Sequence, residues 1–348
     1  MKNDMGRDAW PDYMKALGVI FIVFGHSYLP VVFLKLFYVP IFWIITGYYF
    51  KDKTFKEHIV SRAKRVYYPF VLTNLVYVIV RNINYFFGGT TFYYKRHDLI
   101  RIIIRIFLLD VPDKLASPMW FVTALLSAEM LYLLICKIFR KDLYIFGISI
   151  GLYIINFKWI SIREVYWGGC CIISLMLTIP VFFCIGNFIK KNKILSKFST
   201  TKTYIIICVT TSGLLTFLQK LLYYRADYRV VETNSMIMFL IVPIIGFILL
   251  YCIIGVASNI TNKLNKFLKF YGYNSLYIMM FHPLGYMIVG LLQVHLFGFK
   301  VEDISIWENY IPGCIWNIIG CIMAMTIPVV VIIFIRKSKG MLWKRNLH

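Results

Sequence analysis

The chain has 348 residues, 60% of them hydrophobic and 18% aromatic, with 29 Phe, 25 Tyr, a mean hydropathy of +0.71 and a formal net charge of +22. A soluble domain is excluded by such values, which describe a polytopic membrane protein. A nucleic-acid-binding module is excluded as well, because the basic residues lie in short loops between apolar runs rather than on one soluble face.

A bilayer core of roughly 30 Å takes about 20 apolar residues per helix. Segments of that kind recur over residues 13–30, 31–50, 67–87, 117–137, 143–157, 168–189, 203–222, 236–257, 270–294 and 311–335. The predicted fold is therefore an all-α, polytopic transmembrane helix bundle of about ten spans, with residues 1–348 forming a single transmembrane domain. The first span, "DYMKALGVIFIVFGHS", follows Lys15 with apolar and small residues until His26. Between the third and fourth spans, "HDLIRIIIRIFLLD" sets Arg101 and Arg105 four apart among isoleucines, the pattern of a helix lying in the interface. The fifth span is short and carries two Gly and an Asn, so crossing the bilayer would require tilt or supporting neighbours. No cleavable leader is expected, since the first apolar segment lacks a small-residue processing site.

Charge orients the bundle. Residues 1–15, 51–66, 137–142, 189–202, 258–269 and 336–348 hold 25 of the 38 Lys and Arg residues. "KKNKILSKFSTTK" has five Lys and no acid, whereas "FKVEDISIWENY" has three acids and one Lys. Basic loops alternate with mixed ones, which predicts that both termini are cytoplasmic. The eight cysteines lie in or beside apolar spans without CxxC or Cys/His spacing, so they read as small membrane residues and no metal site is expected.

Polar residues at membrane depth carry the functional information. His26 lies eleven residues beyond Lys15, about 16 Å along a helix and nearly on the same face. His282, in "FYGYNSLYIMMFHPLGYMIVG", enters its span about 18 Å deep, and Glu129, in "SPMWFVTALLSAEML", reaches a similar depth from the other side. Two imidazoles and a carboxylate could meet there. Either His could instead bond a neighbouring helix, Glu129 could be structural or paired with Arg81 or a His, and Pro283 could be only a kink. In "SRAKRV", Arg62 and Arg65 are three apart and suit phosphate recognition, although positive-inside bias alone accounts for basic residues at that place.

Taken in order, Arg7, Asp12 and Lys15 leading into "GVIFIVFGHS", then "VPIFWIITGYYF", "SRAKRVYYPF", "PMWFVTALL" and "YGYNSLYIMMFHP" resemble the membrane acyltransferase 3 family. Within it, the pattern is similar to bacterial O-acetyltransferases of the fucose 4-O-acetylase type, from about residue 7 to 335. That resemblance implies a bacterial cytoplasmic-membrane O-acyltransferase. It would take an acyl group, expected to be acetyl from acetyl-CoA, to a hydroxyl of a surface polysaccharide or lipid-linked sugar. The family's basic residue, ten intervening residues and His correspond to Lys15 and His26, with Lys where Arg is common, and its Arg-x-x-Arg corresponds to Arg62 and Arg65. Those basic residues would bind the acyl-CoA phosphates. His26 is then the expected base, with Glu129 as its orienting carboxylate and His282 as a further catalytic candidate. Direct transfer and an acyl-His26 intermediate both fit. A transporter using His26, Glu129 and His282 as a proton relay is the alternative from a different class, and a non-catalytic sensor or assembly factor is a further one.

Overall fold

The structure, a computed structural model, describes residues 9–27, 32–51, 53–160, 166–167, 170–198, 200–257, 262–304 and 310–345. Arg7, part of the sequence pattern above, lies outside them. The helices in chain order are α1 (Trp10–His26), α2 (Val32–Lys35), α3 (Pro40–Tyr48), α4 (Phe55–Arg62), α5 (Tyr68–Phe86), α6 (Arg96–Phe107) and α7 (Trp120–Ile138). After them come α8 (Asp142–Ile155), α9 (Ile172–Lys191), α10 (Thr201–Lys220), α11 (Met236–Ala257), α12 (Asn262–Tyr273), α13 (Ser275–Phe297) and α14 (Cys314–Arg345). Two minimal antiparallel hairpins, Tyr166–Trp167 with Cys170–Cys171 and Ala226–Asp227 with Glu232–Thr233, are the strands among the described residues. The fold is an all-α polytopic bundle.

Among the described residues, seven helical segments are long and apolar enough to cross a membrane: Phe55–Phe86, Lys114–Ile138, Ile172–Lys191, Thr201–Lys220, Met236–Ala257, Ser275–Phe297 and Cys314–Lys337. The other expected spans appear as shorter elements. The first is the 17-residue α1 and the fifth the 14-residue α8. The second is divided into α2 and α3, with Pro40 in the first turn of α3, where its missing N–H costs no helical bond. The expected ninth span, 270–294, is likewise divided, because Asn274 interrupts the helix between α12 and α13. Aliphatic side chains such as Leu72, Ile79 and Ile83 of α5 and Ile205, Ile206 and Val209 of α10 are exposed, as lipid-facing residues must be.

The chain divides into two compact units, residues 1–21, 31–69 and 120–273 in one, and 22–30, 70–119 and 274–348 in the other. In the first, α9 is central and packs against α3, α7 and α8. Its contact with α3 is backbone on backbone. A methyl at Gly186 would overlap the Ile44 carbonyl, and one at Gly47 would overlap the backbone of Phe183. Small residues permit such approach between membrane helices, where dispersion and polar contacts replace the hydrophobic drive.

In the second unit α13 and α14 pack closely, with Gly285 against the backbone of Met323 and Ala324. Val23, Tyr286, Val289, Tyr310 and Ala324 form its buried cluster. The amphipathic α6 buries Ile102 and Ile106 and leaves Ile100, Ile103 and Ile104 exposed, in keeping with an interfacial helix.

Candidate functional site

The two imidazoles meet in the second unit. The rings of His26, at the end of α1, and His282, in α13, have centroids 5.3 Å apart and planes tilted by 38°. His26 is half-buried and His282 fully buried.

Local sequence sets the protonation geometry of His282. Pro283 has no N–H, so the carbonyl four residues earlier, that of Met279, lacks its usual helical donor. His282 supplies one, its Nδ1 lying 2.8 Å from the Met279 oxygen. A carbonyl only accepts, so Nδ1 carries the proton and the neutral ring presents Nε2 as an acceptor. That Nε2 is buried and has no hydrogen-bond partner among the described residues. An unpaired buried acceptor is costly, and a site that retains one is a candidate for function.

Tyr286 fixes the partner. One turn beyond His282, its hydroxyl donates to the Val23 carbonyl at 2.6 Å, which anchors the last turn of α1 three residues before His26. Tyr77 of α5 donates to the Met280 carbonyl at 2.6 Å and Thr73 lies 3.7 Å from the Met280 sulfur, so α5 braces the same stretch of α13.

Glu129 occupies a different setting. In the first unit its buried carboxylate accepts from Arg62 through Oε1, while Oε2 lies 3.8 Å from Nε2 of the buried His58. Glu129 thus forms an Arg62–Glu129–His58 cluster within the first unit. Arg81 is not its partner, since in the second unit Arg81 makes a buried bidentate pair with Asp113 at 2.9 and 3.1 Å. His58 and Asp113 were missed in the sequence. Asp113 sits in a loop with no period, and His58 in a basic segment whose charge hides its contacts.

The three basic residues expected to bind a donor are all in the first unit. Lys15 pairs with Asp12 at 3.0 Å. Arg62 holds Glu129 and keeps its side chain 30% exposed. Arg65 is exposed. Arg62 and Arg65 straddle the start of a five-residue π turn, Ala63–Tyr67, which widens the helix so that three steps no longer close a turn.

A cavity of about 720 Å³ in the second unit is walled by the Arg81–Asp113 pair, α6 and residues 89–94. Tyr94 lines it, and burial together with the Asp113 carboxylate pushes its phenol well above the usual range, so it remains a neutral hydroxyl. No group of His, Cys, Asp and Glu among the described residues could hold a metal ion, and all eight cysteines are free thiols.

A sequence-family model described as an acyltransferase domain matches residues 8–333. No curated protein and no solved structure matches the chain significantly.

Proposed function

With most of its length matched, the chain belongs to the membrane acyltransferase 3 family, and from that membership we propose that it moves an acetyl group from acetyl-CoA to a glycan hydroxyl. It is a multi-pass membrane acyltransferase. In this reading it resides in a bacterial cytoplasmic membrane with both termini inside, and the acceptor is a surface polysaccharide or its lipid-linked precursor.

The observation that carries the reading is the juxtaposition of the His26 and His282 rings, 5.3 Å between centroids, beside a buried Nε2 of His282 that no described residue engages. The acceptor hydroxyl attacks the thioester carbonyl carbon and gives its proton to neutral His26. The carbon–sulfur bond breaks, the ester remains on the glycan, and the thiolate takes that proton from His26 to leave as free CoA. His282 positions and stabilises the transient imidazolium. Its Nε2 can accept, and two imidazoles this close share one positive charge rather than carrying two. An imidazole thus fills the place that a carboxylate has in a hydrolase triad.

Lys15, Arg62 and Arg65 supply positive charge for the CoA phosphates, Arg65 as the exposed cation and Arg62 as one held by Glu129. Glu129 is then a positioning residue for Arg62. A proton relay through His26, Glu129 and His282 is the less favoured reading, because the Glu129 carboxylate is taken up by Arg62 and lies beside His58.

Membranes bearing wild type or His26→Ala at matched expression, given acetyl-labelled CoA and the native surface glycan, test the reading. Label should enter the glycan with wild type and fall at least a hundred-fold with the variant. Equal transfer by the variant would remove His26 from the chemistry, and absence of transfer by wild type from acetyl-CoA would overturn the activity.

A further inference from the structure

The cavity beside α6 has no part in the mechanism above, yet it is a built site. Arg81, 5% exposed, uses two guanidinium N–H groups on Asp113 and has three more with no acceptor among the described residues. Asp113 is held by the Leu115 amide, and Asn82 bonds the Tyr94 backbone in both directions, so the walls are locked in place. The volume falls within the roughly 300–1,000 Å³ of small-ligand pockets.

Its level matches the imidazoles. Tyr77 bonds Met280 and His295 bonds the Phe87 carbonyl, so α5 and α13 run in the same direction. Arg81 stands one turn past Tyr77, about 6 Å along the axis, and His282 two residues past Met280, about 3 Å. The inner wall of the cavity is therefore within about one turn of the reacting level.

The lining chemistry selects the occupant. Arg81, Arg101, Arg105 and Lys114 face Asp98, Asp113 and Glu302, and Asp110 neutralises Arg105. Charges of the two signs balance, so an anionic ligand gains no net attraction. Donors and acceptors are abundant instead, and the half-exposed Phe92 ring offers an apolar face for C–H groups. We propose that this cavity binds the acceptor, and that the acceptor segment it takes is an uncharged saccharide whose hydroxyls bridge Arg81 and Arg101 to Glu302. The assignment rests on the acyl-transfer reading for its meaning, while the binding can be measured without turnover.

Purified full-length protein in nanodiscs would be titrated against end-labelled native surface glycan, separated by anion exchange into uncharged and acidic pools. Fluorescence anisotropy should show binding of the uncharged pool by wild type and His26→Ala alike. Affinity should fall at least ten-fold for Arg101→Gln and for Glu302→Gln, both exposed positions. The proposal is overturned if the acidic pool binds more tightly, if neither substitution changes affinity, or if neither pool binds. Loss of acetyl transfer in His26→Ala with binding intact would uphold both readings. Binding that depends on the cavity without any transfer by wild type would sink the acyl-transfer reading alone.

Discussion

At the scale of single residues, a dipeptide sets which nitrogen of His282 bears the proton. Pro283 frees the Met279 carbonyl, and His282 occupies it through Nδ1. Pro283→Ala should return a helical N–H to that carbonyl and stabilise α13, by up to about 3 kcal/mol from the cost of an interior proline. The same change releases the tautomer of His282, so transfer should fall about ten-fold while thermal stability in detergent rises. A variant losing both, or neither, would mean that the proline is only a kink. The sequence alone made both imidazoles visible, because titratable groups at membrane depth stand out against apolar surroundings. It left the partner of Glu129 open because helical rise gives depth but not azimuth, and packing sets the carboxylate on Arg62. Such a pair is also a commitment. Truncating Arg62 would strand a buried charge, whereas neutralising Glu129 would not.

Between helices, the controlling residues are small. Gly47 and Gly186 bring α3 and α9 into backbone contact, and the obstructing atoms are carbonyl and main-chain carbon rather than a flexible tip. Gly186→Ala should therefore cost about 1–3 kcal/mol through forced separation of the pair, read as a lower midpoint of thermal unfolding. An unchanged midpoint would show that the crossing is looser than described. Hydropathy located every long helix, since length and apolar content are local properties. The interruptions at residues 36–39 and at Asn274 and the π turn at Ala63–Tyr67 were not legible. They depend on tertiary neighbours, as where Tyr228 donates to the Leu36 carbonyl at 2.6 Å and Arg336 to the Asn274 side chain at 2.8 Å.

For the molecule as a whole, solvent is the organising variable. Exposed isoleucines and phenylalanines that would aggregate in water are appropriate to lipid. Charge asymmetry predicts the orientation. In a background lacking the exposed Cys314, Thr91→Cys should react with a membrane-impermeant maleimide in intact cells. Lys337→Cys should react only after permeabilisation. The reverse pattern would invert the topology and, with it, the side on which the acceptor is received.

The bond between His282 and Met279 lies wholly within α13. Its survival does not depend on where any other helix stands. Should α13 tilt or slide during turnover, the ring would travel with its own lock and Nε2 would stay an acceptor throughout. The acceptor tautomer of this imidazole is thus a portable property of a single turn of helix, insulated from movements of the neighbouring helices.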